Sequence, residues 1–349
     1  MIAVFEMPVP VTSSRDPWAR FARDILLTGL GLGLAVIAFI TLLDPYGLRA
    51  APGHPPGPIV DTDQRWSYPQ VARGGAFDAA VFGSSTSRLL DPTALNAAFD
   101  AHFANLAMNA ATPDEQLRLA ALFLAGKTPK VLLFGLDASW CDAAPAARTA
   151  ITFPDWLYER SPRFGFLRQV NLRSLESAVK AAEVRWGHGR PAIRADGYAV
   201  FTPPESTYDL ARARDHLAAA TRNADPAGEA VAAPMPDLDR LDALLAGLPE
   251  QTRAILAFMP VHVRAQARAG TPAGDRERAC KDYVTAIGAR HRTLVVDFRF
   301  PSSVTTEDSN YWDGLHYRLP VAARIVASLA EAAKGANEGS GGLYRVLSP

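Results

Sequence analysis

The residues of this chain most able to do chemistry are a serine after a strand and a histidine three positions beyond an aspartate. Gly83-Ser84-Ser85 closes the apolar run Phe77-Asp78-Ala79-Ala80-Val81-Phe82 and reads as a strand breaking into a loop. Asp313-Gly314-Leu315-His316 lies more than two hundred residues later and precedes an apolar helix. A serine hydroxyl is a poor nucleophile at neutral pH. It becomes competent when a base within hydrogen-bond reach takes its proton and an acid orients that base. The three-residue step from Asp313 to His316 can supply an oriented base of this kind. Blander readings exist for each piece: Ser84-Ser85 as a tight βα turn with a helix cap, and His316 as a surface histidine, because Asp-x-x-His recurs by chance.

Such pieces need a frame that brings them to one edge. From about Tyr68 to Phe77 onward, short apolar runs alternate with longer amphipathic stretches, the pattern of a parallel α/β sheet. Strands are expected at Ala79–Gly83, Phe103–Ala107, Val131–Leu136, Ala254–Met259 and Leu294–Phe298. The run at Val131–Leu136 lacks alternation, as a central strand buried on both faces should. Helices fit between at Pro92–Ala101, Pro113–Gly126, Leu238–Leu248, Arg276–Arg290 and Pro320–Lys334, with Thr112 as a possible cap. The expected architecture is α/β: a flavodoxin-like three-layer sandwich with a central parallel sheet of about five strands, plus one N-terminal transmembrane helix. Open sheets of this class bind ligands beyond the carboxyl ends of their strands. Ser84-Ser85, Asn105 to Asn109, Asp137 and the Asp313–His316 piece all follow predicted strands, so they can converge on one rim.

Ile25 to Leu43 carries no charge, and twelve of its residues are Leu, Ile, Val or Phe. On an insertion scale these contribute roughly −4 to −7 kcal/mol, and about 20 apolar residues suffice to cross a bilayer as a helix. Arg15, Arg20 and Arg23 precede the span and Asp44 follows it, which keeps the N-terminus cytoplasmic and puts the main domain outside the cytoplasm. A cleaved signal peptide is the rival reading, but no small-x-small pattern follows at Asp44-Pro45-Tyr46-Gly47. Residues 1–24 are then a cytoplasmic tail, 25–43 the anchor, 44–67 an extended linker whose proline-rich part, Ala51 to Pro58, is unlikely to pack, and 68–334 the α/β domain. Within that domain an insertion covers about 141–236, and 335–349 reads as a disordered tail. The chain has 36 basic and 36 acidic side chains, so it lacks the charge excess that nucleic-acid binding needs. Cys141 and Cys280 can pair outside the cytoplasm or stay as two isolated buried thiols. His102, His188, His216 and His291 show no ligand spacing, so no metal and no cofactor is expected. His262 follows a predicted strand on the candidate rim.

Four ordered blocks carry a likeness. Val81-Phe82-Gly83-Ser84-Ser85-x-Ser87-Arg88, Asn105-Leu106-Ala107-Met108-Asn109-Ala110-Ala111-Thr112, Leu133-Phe134-Gly135-Leu136-Asp137 and Asp313-x-x-His316-Tyr317 resemble the blocks of the SGNH (GDSL-like) hydrolase superfamily. The likeness is greatest to its membrane-anchored branch, which includes proteins of alginate O-acetylation and teichoic-acid D-alanylation. It spans about residues 77 to 332, excluding the insertion. The resemblance implies Ser85 as nucleophile, His316 as general base, Asp313 as orienting acid and the Ser85 amide as one oxyanion donor. The superfamily's second block normally supplies a Gly and its third an Asn to complete the oxyanion site; this chain has Asn109-Ala110 and Asp137. An ionised Asp only accepts hydrogen bonds, so Asn109 or Asn105 is left to donate. Ser84 and Arg88 are further candidate binding residues, and Arg88 can neutralise a substrate carboxylate or bridge to a nearby acid.

With the span, the resemblance implies a single-pass bacterial inner-membrane protein whose periplasmic domain is an esterase or O-acyltransferase of cell-surface polysaccharide, with acetyl as the acyl group and a multi-pass membrane acyltransferase as a partner. The rival expectation is a catalytically silent member of the fold that binds polysaccharide or scaffolds an envelope assembly.

Overall fold

Four apolar runs are long enough and uninterrupted enough to lie inside a sheet with both faces covered, and they do. The computed structural model describes residues 17–125, 127–144, 153–159, 165–221, 232–338 and 342–349. Strands β1 (Ala79–Phe82), β2 (Phe103–Asn105), β3 (Val131–Leu136), β4 (Arg253–Phe258), β5 (Leu294–Asp297) and β6 (Arg345–Ser348) form one sheet in the order β2-β1-β3-β4-β5-β6. The first five are parallel, with Ala79 opposite both Phe103 and Val131, and β6 runs antiparallel along β5.

Ten helices are described: α1 (Pro17–Leu43), α2 (Gln64–Arg73), α3 (Pro92–Phe99), α4 (Pro113–Leu124), α5 (Gly165–Arg168), α6 (Leu172–Arg185), α7 (Leu210–Thr221), α8 (Pro236–Ala246), α9 (Pro272–His291) and α10 (Leu319–Ala333). One apolar core joins Phe82, Phe134 and Phe258 to Phe123 of α4, Leu241 of α8 and Val284 of α9. On the other face Val81, Leu133 and Val296 pack on Leu95 of α3 and Ile325 of α10. Strands covered on both faces need no polar alternation, which is why β1 and β3 read as continuous apolar runs. At α4, Thr112 and Glu115 form a reciprocal capping box with Pro113 in the first turn.

Helix α1 is 27 residues long and only Ile40 in it is buried, so it is long and apolar enough to cross a membrane. It begins before the predicted span, at Pro17. Two further boundaries differ from expectation. The sheet has six strands, because Leu343 and Tyr344 of the supposedly disordered tail are buried and lead β6 onto the free edge of β5. Glycine and serine at 339–342 masked that short apolar run. The linker packs as well. Asp44 ends α1 with φ 46° and its carboxylate accepts the Leu48 and Arg49 amides at 2.9 Å. Tyr46 and Ile59 are buried, and the Tyr46 ring lies 5.2 Å from that of Trp66. Residues 51–58 of the proline-rich stretch are exposed or half-buried, as expected, but the residues on either side of it pack, so the domain begins well before Tyr68. The expected insertion supplies α5, α6 and α7, and parts of it, with residues 1–16, Gly126 and 339–341, lie outside the described residues. Cys141 and Cys280 are joined, tying the turn after β3 to α9 with Cα atoms 5.5 Å apart.

Candidate active site

The sheet order reverses direction at β1, whose neighbours β2 and β3 lie on opposite sides, and clefts form beyond the carboxyl ends of strands at such a point. Here β1 gives way through Gly83 to an extended Ser84 (φ −96°, ψ −160°) and a single 3₁₀ turn, Ser85–Ser87. From Ala79 to Leu90, Ser85 alone is not fully buried. The turn is clamped from β2: Asn105 Nδ2 donates to the carbonyls of Ser87, Arg88 and Leu90 at 3.0, 3.2 and 2.8 Å.

The second piece is a small hairpin. Tyr311 and Tyr317 bridge antiparallel, and the Trp312 amide donates to His316 O at 2.8 Å. Inside the hairpin, Asp313 Oδ1 accepts the Leu315 and His316 amides at 2.8 and 2.9 Å, so the carboxylate organises its own loop. From the loop after β4, the His262 amide donates to Gly314 O at 2.9 Å and pins the tip. The buried Tyr317 hydroxyl donates to the Thr86 carbonyl, stapling the hairpin to the serine turn.

These supports bring three side chains into line. His316 Nε2 lies 2.9 Å from Ser85 Oγ, and His316 Nδ1 lies 2.7 Å from Asp313 Oδ2. Partial burial pushes the Asp313 carboxyl upward, but bonds from the His316 ring and from two amides outweigh it and hold it below its ordinary value of 3.8. An ionised Asp313 can only accept, so Nδ1 carries the proton and Nε2 faces Ser85 as an acceptor. That is the tautomer in which an imidazole can take a serine proton.

The other predicted residues divide. Arg88 is buried, and its Nη1 donates to Asn109 Oδ1 at 2.9 Å. The Asn109 amide donates to Gln64 Oε1 at 3.3 Å, while no described residue takes up its side-chain Nδ2. Ser84 Oγ contacts Thr86 Oγ1 at 3.4 Å and does not join the chain. Asp137 follows β3 on the same rim, and its Oδ1 accepts from Ser139 Oγ at 2.7 Å. Asn105 is not a free donor, contrary to expectation, because its amide is consumed in clamping the turn. His262 follows β4 at this rim, but its side chain is buried behind the hairpin. Burial lowers its pKa against the opposing pull of Asp308, whose Oδ1 is 3.3 Å from Nε2.

Residues with no motif signal complete the site. Phe201 meets the His316 ring edge-on, with centroids 5.3 Å apart. Arg65 of α2 forms a fully buried pair with Glu115 at 2.7 Å and donates to the carbonyls of Asn109 and Ala110 at 3.1 and 3.2 Å. It thereby fixes a loop in which Ala110 has φ 49°. No described residue accepts from the amides of Ser85 or Ala110. Among the described residues no group of three or more His, Cys, Asp or Glu is arranged to hold a metal ion. A concavity lined by Leu248, Arg253 and Arg292 opens at the amino ends of β4 and β5 and contains no nucleophile–base pair. No family model matches the chain, and no curated protein matches it, so the reading of the site rests on its geometry.

Proposed function

We propose that the chain is a membrane-anchored serine acyl-esterase or O-acyltransferase of the SGNH type. It acts outside the cytoplasm on cell-surface polysaccharide, with acetyl as the acyl group. The observation that carries this reading is the unbroken hydrogen-bonded chain Ser85–His316–Asp313 at the carboxyl edge of the sheet. Ser85 Oγ attacks the ester carbonyl as His316 Nε2 takes its proton. Collapse of the tetrahedral adduct expels the alcohol, which receives that proton, and leaves an acyl-serine. Water or a sugar hydroxyl then attacks the acyl carbon, gives its proton to His316, and Ser85 is released with that proton returned. Asp313 stays ionised and steadies the imidazolium in each half.

The oxyanion is served by the Ser85 amide, with the Ala110 amide and Asn109 Nδ2 as further donors; Asp137 is left out because a carboxylate would repel the developing charge. Ala110 adopts the left-handed conformation that glycine favours at a position near the superfamily's usual Gly, which supports the likeness of the second block. The strand order 2-1-3-4-5 agrees with a flavodoxin-like sandwich. The Cys141–Cys280 bond is consistent with an oxidising compartment and so with a periplasmic domain behind a cytoplasmic N-terminus. A transferase in that compartment needs an acyl-donating membrane partner, for which a multi-pass acyltransferase is the fitting class.

The test is hydrolysis of p-nitrophenyl acetate by the full chain in neutral detergent. Turnover lost in both Ser85→Ala and His316→Ala supports the reading. Turnover that survives both substitutions refutes it.

A further inference from the structure

Arg88 ends the same turn that starts with Ser85, its amide donating to Ser85 O at 3.3 Å, and its side chain is enclosed: the residue is 4% exposed. Its neighbours hold it without neutralising it. Nη1 donates to the neutral Asn109 side chain at 2.9 Å, and the guanidinium lies 4.7 Å from the Phe201 ring centroid. Its charge also acts on the Tyr68 hydroxyl, which burial pushes up to about 12. No carboxylate among the described residues is within ion-pair distance of it. The acids on nearby segments are taken: Asp91 and Asp196 by Arg194 at 2.7 and 2.6 Å, Glu205 by Arg318 at 2.6 Å. The fully buried Arg65, by contrast, is compensated by the carboxylate of Glu115. A guanidinium withdrawn from water with only neutral partners, the Asn109 side chain and the Tyr68 hydroxyl, is costly to keep, and it is kept beside the nucleophile. Phe201 touches both this guanidinium and the His316 ring, so one aromatic side chain spans from the charge to the base.

We propose that Arg88 receives a carboxylate of the substrate, so that the ester processed at Ser85 is carried by an acidic saccharide unit. This rests on the acyl-transfer reading above and extends it to the substrate class. One fixed cation suits one negative charge, and a guanidinium with five N–H donors, held by two neutral groups, keeps donors for a carboxylate.

The test compares O-acetylated galacturonan fragments with the same fragments methyl-esterified, using the full chain in neutral detergent and measuring acetate release. The carboxylate form should be processed with kcat/KM at least tenfold higher. That ratio should shrink at high salt, collapse towards one in Arg88→Gln, and persist in part in Arg88→Lys. If Arg88→Gln fails to fold, calorimetry on Ser85→Ala decides: the carboxylate fragment should bind at least tenfold tighter than its methyl ester. Equal processing or equal binding of the two forms overturns the proposal, as does failure to bind either. A phosphorylated fragment preferred over the carboxylate one overturns the carboxylate assignment. Discrimination in binding without any ester turnover would remove the enzymatic reading and leave this one standing. Turnover without discrimination would do the reverse.

Discussion

Replacing Gly135 with alanine is expected to damage the Ser85 turn without altering any member of the Ser–His–Asp chain. A Cβ at Gly135 in β3 would stand 1.9 Å from Ser87 Oγ, 3.1 Å from Ser87 Cβ and 3.0 Å from Met259 Cγ. Ordinary contact begins at 3.4 Å, so the hydroxyl must retreat by about 1.5 Å. Ser87 is fully buried and flanked on its other side by the Gly83 backbone, so the turn itself has to move. Overpacking of this kind costs about 1–3 kcal/mol, which lowers the unfolding temperature by several degrees. A shift of Ser85 by about 1 Å relative to His316 costs on the order of 100-fold in kcat. Both quantities are measurable on the full chain, by thermal unfolding and by p-nitrophenyl acetate turnover. The rescue is specific. Ser87 Oγ has no hydrogen-bond partner, so Ser87→Ala alone should be close to neutral. Ser87→Gly in the Gly135→Ala background should restore most of the activity at a cost of about 1 kcal/mol in backbone entropy. Ser87→Ala, which keeps the 3.1 Å contact, should restore less. Full activity and stability in Gly135→Ala, or a double variant no better than Gly135→Ala alone, would refute this reasoning.

Arg65→Met strands Glu115 in the core and should cost about 3–5 kcal/mol by urea unfolding, whereas Arg65→Met with Glu115→Met should recover most of that loss. Asp313 has a folded-state pKa below 3.8, so its contribution to stability is present above that value and lost as pH falls through the lower folded one. The difference in unfolding temperature between wild type and Asp313→Asn should therefore be largest near neutrality and vanish under strong acid; a difference that grows on acidification would contradict the assignment. Replacing Cys141 and Cys280 by serine should cost up to about 5 kcal/mol, the chain-entropy value for a loop with a sequence separation of 139 residues, read by thermal unfolding with and without reductant.

The parallel sheet was legible because β1 and β3 are covered on both faces, and the burial requirement writes itself into uninterrupted apolar runs. Edge elements carry no such imprint. Strand β6 needs only Leu343 and Tyr344 to turn inward, and a glycine-rich approach concealed them. The proline-rich residues 51–58 stay unburied, as their composition suggests, while the aromatics on either side, Tyr46 and Trp66, pack together and draw the linker's ends into the core. Within the site, Ser85, Asp313 and His316 were recognisable because their chemistry demands particular residue types. The supports were not: Phe201, Arg65 and the Tyr317 staple act through shape, a buried pair and a single bond to a carbonyl, none of which fixes a spacing along the chain. Asn105 and Asn109 were indistinguishable as donors until three carbonyls were seen to occupy the first. Whether Arg88 had an acid beside it was likewise a question of space alone.

The most direct measurement is reaction of the full chain with a fluorophosphonate, followed by peptide mass spectrometry. The account predicts one adduct, on Ser85, formed quickly by wild type, slowly by Asp313→Asn and undetectably by His316→Ala. No adduct, or an adduct on another serine that forms equally well without His316, would contradict it.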